Sequence, residues 1–528
     1  MGRPPSLSLL TRPLARRGLR PGVVAPPVGL FAVLICWSLI APGPFLKAAT
    51  ALNTLTLNLL SHGFAWAAFA FVLICIWAAL SPLGRIRIGG ESAKPLLKPW
   101  NWMAITLTTT IATGILFWAT AEPVYHILQP GGLDIEPRSR AASVFALSTL
   151  YMHWTISPYA IYTVAGLTFA LAYHNFWSSF SLSAPFSVMR RKPLPGPVAD
   201  GIDGLAVLSL LFGLSASLGA GILSLSGGLD RLIGTGTGSI VTAVITAFVV
   251  GGFAISSASG LHKGIRLLSD INTRIFLVFI AFVLITGPTG NILSAGGTAL
   301  VAFGRDFVPR SLLIAPFDDM DWAKAWTVFY FANWLAWAPL SAMFLGRISR
   351  GYTVRAYIGV NWIGPACFSM IWMTVLGGSA LQAETAEPGV LSTILETQGP
   401  EHVLYAVIDT LPLAPAMIAL IIIMIYLSYV TAADSNTDVL ARISATPETA
   451  NRRRPGLKFL WAGIVGLAAW AMVSLSGIDG IRMLSNLGGV PALFIISAFG
   501  VILIWMGTRG LPRLRETRLQ ADPISPAS

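Results

Sequence analysis

Twelve stretches of apolar residues recur along the chain, centred near residues 36, 73, 111, 160, 215, 247, 279, 335, 366, 424, 467 and 495. A helix needs roughly 20 such residues to cross a hydrocarbon core. The polar positions between them alternate in kind. Arg85, Arg87, Lys94 and Lys98 follow the second stretch, Arg190, Arg191 and Lys192 the fourth, and Lys263 and Arg266 the sixth. Arg347, Arg350 and Arg355 follow the eighth, and Arg442, Arg452, Arg453, Arg454 and Lys458 the tenth. Both tails are basic as well. The intervening loops hold most of the acids, among them Asp134, Glu136, Asp318, Asp319, Asp321, Glu384, Glu387 and Asp479. One missed or invented span would break this alternation, and short loops rich in Lys and Arg mark the cytoplasmic side. The pattern predicts an all-α polytopic membrane protein of about twelve transmembrane helices. Both termini are expected in the cytoplasm, and the location is expected to be a bacterial inner membrane.

Composition agrees, since 11% of the 528 residues are charged and 55% are apolar, too little charge to cover a soluble fold of this size. The net charge of +12 lies in loops and tails without an aromatic–basic stripe, which argues against a nucleic-acid partner. Arg3, Arg12, Arg16, Arg17 and Arg20 form a long basic lead into the first span, read as a cytoplasmic tail rather than a cleaved signal. Cys36, Cys75 and Cys367 have no disulfide or metal spacing. Six scattered histidines show no paired ligand spacing, so neither an enzyme nor a metal site is expected. No phosphate-binding loop supports an ATP-driven reading. The segment Asn291–Arg310 is mildly apolar and broken by glycine and charge, and it reads as a helix on the outer surface. The stretch Val403–Thr410 is expected to behave alike.

One internal match stands out. Gly264-Ile265-Arg266-Leu267-Leu268-Ser269-Asp270 opens the seventh span, and Gly480-Ile481-Arg482-Met483-Leu484-Ser485-Asn486 opens the twelfth. An offset of five spans turns the second copy over. Inverted repeats give many secondary transporters their two alternating conformations and place the substrate near the membrane midplane. A channel is disfavoured on the same ground. The boundaries expected are a tail at 1–26, two peripheral helices at 27–100 and a first repeat at 101–290. An outer helix and loop at 291–324, a second repeat at 325–507 and a tail at 508–528 complete the chain.

Two aromatic clusters fall inside spans. The fourth span carries Trp154, Tyr159 and Tyr162, and the eighth carries Trp326, Phe329, Tyr330, Phe331, Trp334 and Trp337. Offsets of three, four and eight put Trp326, Tyr330, Trp334 and Trp337 near one helical stripe. An interfacial belt accounts for Trp100 and Trp102, and ordinary helix packing competes for the rest. A quaternary ammonium cannot donate a hydrogen bond, so converging aromatic faces suit it, each contributing about 0.5–2 kcal/mol.

Ala325-Trp326-Thr327-Val328-Phe329-Tyr330, Arg347-Ile348-Ser349-Arg350-Gly351, Ser259 to Arg266, Trp118 to Tyr125 with Glu122-Pro123, and Thr431-Ala432-Ala433-Asp434-Ser435 carry a likeness. Over roughly residues 25 to 510 the chain resembles the betaine/carnitine/choline transporters. The resemblance implies a LeuT-like 5+5 inverted repeat preceded by two extra helices, often trimeric, moving a small trimethylammonium substrate by alternating access. It puts an aromatic box on Trp154, Tyr159, Tyr162 and Trp334, with Trp337 along the path. Tyr159 stands where the family often has Trp, and Phe331 and Asn333 replace further tryptophans. Asn333 offers a polar contact. The glycine-rich unwinding of the third span falls on Thr110-Ile111-Ala112-Thr113-Gly114, making Ala112 and Gly114 candidate substrate contacts. Sodium-coupled members use hydroxyls at the places of Thr431 and Ala432, of which only Thr431 keeps one. The loss at Ala432 weakens a sodium site without abolishing it, so Na+ stays the coupling ion leaned to, with proton coupling and exchange left open, and no other cofactor is expected. Glu122 and Asp434 are intramembrane carboxylates, functional candidates by default. A related sulfonium compound or an amino acid is the alternative substrate.

Overall fold

Proline and glycine set where the helices begin and end in the computed structural model, which describes residues 18–110, 114–259, 262–446, 448–449, 454–509 and 511, with side chains outside 254–259 and 262–266. α1 (Pro21–Ile40) and α2 (Pro42–Leu80) each start on a proline, which gives up an N–H that no helix start can pair. α3 (Pro99–Thr110) and α4 (Gly114–Leu128) meet at a 56° bend, where the third apolar stretch is centred. α5 (Arg140–Trp154) is capped by the Ser139 hydroxyl, which accepts from Ala142 N at 3.1 Å. It breaks at Thr155, and α6 (Ile156–Ala170) continues the span. Pro158 explains the break, because it cannot donate to the Trp154 carbonyl four residues back.

Short α7 (Ala184–Arg190) leads to α8 (Gly196–Ile233), which stops at Gly234 with φ 67°, the left-handed cap that glycine takes without strain. α9 (Ser239–Ser259), α10 (His262–Thr286) and α11 (Thr289–Leu312) follow. The eighth span joins α12 (Met320–Ala323) to α13 (Phe329–Ile348) through a π-helical turn, and the ninth joins α14 (Val354–Ile358) to α15 (Gly364–Ala386) in the same way. α16 (Ser392–Thr397), α17 (Pro400–Asp409) and α18 (Ala414–Ile443) precede α19 (Pro455–Arg509). α19 has 55 residues and so would run about 80 Å if straight, far beyond a core of about 30 Å. Gly477, at φ 52° and ψ −127°, turns it back. Its halves are the eleventh and twelfth spans, and among the described residues the other apolar stretches coincide with helices, the centre of the third lying outside them.

The ion pairs separate into two sets that match the charge alternation. On the basic side Arg20 meets Asp200 and Asp203, each at 2.6 Å, and Asp438 gathers Arg442 at 2.8 Å and Lys458 at 3.4 Å. Arg87 also donates to Gly351 O at 2.6 Å there. On the other side Arg138 meets Glu384 at 3.1 Å and Arg231 meets Asp409 at 2.6 Å. Among the described residues, no Lys or Arg ion pair joins a loop of one set to a loop of the other.

Burial ranks the spans. The fourth and eighth are each 94% buried over their most apolar window, whereas α1 and α2 are 28% and 39% buried. Lipid-facing helices at the front of the chain thus flank a core built around the two aromatic spans. In α11, Ile292, Gly296, Ala299, Phe303, Asp306 and Arg310 are buried, a helical stripe that packs on α5 and α15. The expectation for Val403–Thr410 is corrected. α17 is not laid on a surface, because His402, Val403, Leu404, Tyr405, Val407 and Ile408 are buried and Tyr405 OH donates to Ser224 O at 2.6 Å. Its apolar face is needed against α4 and α8.

Candidate substrate site

The broken fourth span and the continuous eighth span bring their aromatic residues together at the middle of the fold. The break at Thr155 frees carbonyls of α5, and the Trp334 indole takes one of them, donating to His153 O at 3.0 Å. Trp334 then stands at the centre of three rings, with centroids 5.6 Å from Trp154, 5.4 Å from Tyr159 and 5.3 Å from Tyr162. All three pairs are tilted or edge-on, as the ring quadrupole prefers. Gly114 lets this happen, since a Cβ there would stand 3.2 Å from the Trp154 ring.

A cavity of about 40 Å³ opens against Thr110, Gly114, Trp154, Tyr162, Asn333, Trp334 and Trp337. Trp118, Phe329 and Ile481 also line it, and α8 closes one side with Ala216, Ser217 and Ala220. About 10–15 Å³ of such space holds one water, so this cavity has room for a few. The rings are drawn in around a space smaller than a trimethylammonium group.

Of the expected residues, Trp154, Tyr162, Trp334 and Trp337 share this cavity. Tyr159 is not in the cavity wall; it backs Trp334 and its hydroxyl is paired with Ser369 Oγ at 2.8 Å. Asn333 is in the wall, where its amide oxygen accepts from Ser485 Oγ at 2.9 Å. Ala112 lies outside the described residues. Thr431, Ala432 and Asp434 are buried on α18 and do not line the cavity. The Thr431 hydroxyl donates to Leu427 O at 2.7 Å, and Asn436 Nδ2 donates to Ala432 O at 2.8 Å.

Glu122 holds the box from behind. Its Oε2 accepts from Trp154 Nε1 at 2.8 Å and from Tyr330 OH at 2.5 Å. Its Oε1 lies 2.6 Å from His153 Nδ1 and 3.2 Å from His126 Nε2. His153 Nε2 pairs in turn with Thr327 Oγ1 at 3.0 Å. The view of the histidines as scattered is thus corrected, because two of them meet one buried carboxylate. The three side chains offer ligand atoms within 4.8 Å of one another, and in this arrangement those atoms hydrogen-bond among themselves. The i, i+4 spacing of Glu122 and His126 was visible in the sequence. His153 lies on another helix, and only its place beside Trp154 pointed to the site.

Arg482, part of the repeated segment in the sequence, packs on Trp118 and Phe329 of the same wall. Its guanidinium carbon is 4.5 Å from the Trp326 ring centroid and 5.7 Å from those of Trp118 and Phe329.

Comparison with known proteins places the chain. Residues 22–510 match the family described as BCCT, betaine/carnitine/choline family transporter. The ectoine/hydroxyectoine transporter of Virgibacillus pantothenticus is 30% identical, over 83% of this chain and 85% of its own length. The glycine betaine transporter OpuD of Bacillus subtilis (strain 168) is 28% identical over 91% of each chain. The high-affinity choline transport protein of Escherichia coli (strain K12) is 30% identical, over 84% of this chain and 66% of that one. A solved Na+-coupled sialic acid symporter in a substrate-bound outward-open state aligns with a TM-score of 0.46 and 12% identity, over 84% of this chain and 85% of that one. This multi-pass membrane protein is a secondary transporter, not an enzyme, and belongs to the betaine/carnitine/choline transporter family.

Proposed function

We propose that the chain carries a quaternary-ammonium osmolyte or nutrient, such as glycine betaine, choline or carnitine, by alternating access, with the cation held between Trp154, Tyr162 and Trp334. The observation that carries this reading is the convergence of those rings from the fourth and eighth spans on one small cavity without a charged lining residue. A trimethylammonium group has no N–H to offer, and aromatic faces attract it without hydrogen bonding. The relatives described as glycine betaine and choline transporters support the same class.

In this proposal Tyr159 and Glu122 position the box, and Trp337 lines the path beside it. The cavity must widen to admit the substrate. The bend between Thr110 and Gly114 and the break at Thr155 sit beside the rings that would separate. The repeat opening at Gly264 and Gly480 supports an inverted five-plus-five core for that motion. Na+ is proposed as the driving ion, held through Thr431 with the buried Asp434 nearby in the helix. The inner membrane and cytoplasmic termini follow from the basic loops.

Uptake by the purified protein in lipid vesicles tests the reading. Labelled methylammonium compounds are supplied under sodium, proton and counter-substrate gradients imposed one at a time. Accumulation of one of them under a sodium gradient is expected. If none is taken up or competes, the substrate class is wrong; if a proton gradient alone suffices, the sodium proposal is wrong.

A further inference from the structure

The cavity wall carries no ionised side chain, but two charges stand directly behind it. Glu122 lies behind Trp154, bonded to its indole nitrogen. Arg482 lies behind Trp118 and Phe329, both of which line the cavity, and the residue before it, Ile481, lines the cavity too.

The state of Arg482 makes it more than a packing residue. A guanidinium has five N–H donors in a planar fork. Nε and Nη2 of Arg482 are buried without a hydrogen-bond partner. Nη1 lies 3.6 Å from Asp479 Oδ1, beyond a good hydrogen bond, and the Asp479 side chain is 70% exposed. The rings beneath satisfy part of the charge, but they leave the N–H fork unmet. The side chain is 20% exposed and begins the twelfth span beside the acidic loop, so it stands between the outer loops and the cavity. A carboxylate is the group that matches such a fork, through two parallel charge-assisted bonds. Asn333 adds to the match, because Ser485 occupies its amide oxygen and leaves its N–H groups as donors at the wall.

Resting on the cage reading above, we propose that Arg482 is a specificity-determining residue that selects zwitterions carrying a carboxylate over bare quaternary ammonium cations. The ammonium end enters the box backed by Glu122, and the carboxylate end meets the Arg482 fork. A bare cation has no group for that fork and must pass a like charge on its way to the rings.

Binding to the purified protein, read by tryptophan fluorescence and by competition for uptake, tests this with glycine betaine, its methyl ester and choline. All three carry the trimethylammonium group, and only the first carries a free carboxylate. Glycine betaine is expected to bind on the order of tenfold to a hundredfold more tightly than the other two, the range for a hydrogen-bonded charged partner. Arg482→Gln is expected to abolish that preference while choline binding holds or improves. Arg482→Lys should keep part of it, since an ammonium supplies charge without the fork. Equal binding of all three by the unaltered protein would overturn the proposal and leave the cage reading intact, and that comparison needs no variant. A loss of all three by one common factor in Arg482→Gln would also overturn it, showing a packing role alone. Failure of all three to bind the unaltered protein would remove the cage reading and this proposal with it.

Discussion

Glu122 accepts hydrogen bonds from three spans at once, so replacing it separates the role of its geometry from the role of its charge. In Glu122→Gln the amide oxygen can stand in for Oε2 and keep the Trp154 and Tyr330 donors, now at 2.8 and 2.5 Å. The amide N–H groups then face His153 and His126, which can change tautomer and accept. His153 Nε2–H would point to the Thr327 hydroxyl 3.0 Å away, which can accept in turn. Only His126 Nδ1, which already lacks a partner, gains an unmatched proton. That is one buried unsatisfied donor, a cost of about 1–3 kcal/mol. Glu122→Ala instead strands the Trp154 indole and the Tyr330 hydroxyl, about 2–6 kcal/mol on the same scale before the imidazoles are counted. Because Trp154 is a wall of the cavity, part of this cost falls on binding. Titration of a trimethylammonium substrate by tryptophan fluorescence, beside thermal unfolding in detergent, measures both effects. Glu122→Gln is expected to stay within about tenfold of the unaltered affinity, and Glu122→Ala to lose on the order of a hundredfold. If Glu122→Gln abolishes binding as fully as Glu122→Ala, the site uses the negative charge itself and the reasoning is refuted.

Other changes give further tests. Trp334→Leu removes the ring that touches Trp154, Tyr159 and Tyr162; substrate affinity measured by uptake competition should fall by up to about thirtyfold, since one lost cation–π face contributes up to about 2 kcal/mol. Gly114→Ala puts a methyl 3.2 Å from the Trp154 ring and should raise the Michaelis constant for uptake several-fold with expression unchanged. Glu384 accepts from Arg138 Nε at 3.1 Å, from Ser392 Oγ at 2.7 Å and from the Gly389, Leu391 and Ser392 amides. Glu384→Ala should lower the unfolding temperature in detergent, at a cost of about 2–4 kcal/mol for the stranded donors, while substrate affinity stays unchanged.

What the sequence revealed was what is local along the chain. A span shows itself in about twenty neighbouring residues, so the apolar stretches among the described residues coincide with helices, and even the Gly477 turn inside α19 falls between two separate run centres. The aromatic stripe of the eighth span was legible for the same reason, as helical spacing places Tyr330 and Trp334 on one face. Contacts between spans were not. Nothing near Glu122 in the sequence told that Trp154 and Tyr330 would donate to it, because those residues lie on α5 and α13. Tyr159 was one helical turn from Tyr162 and looked equivalent, yet the break at Thr155 sends it behind Trp334 to Ser369. Arg482 is the clearest case: along the sequence it is one residue of the repeated segment Gly480 to Asn486, and only the rings packed beneath it show its place beside the site.

The central claim is that aromatic faces recognise a positive charge that cannot hydrogen-bond. Glycine betaine and 3,3-dimethylbutanoate test it most directly, since they share shape and carboxylate and differ in a quaternary nitrogen against a quaternary carbon. Competition against labelled glycine betaine by the purified protein in vesicles should show the carbon compound weaker by on the order of a hundredfold or more, as several ring faces each lose their cation. Equal competition by the two would contradict the account, because the rings would then be serving as apolar packing alone.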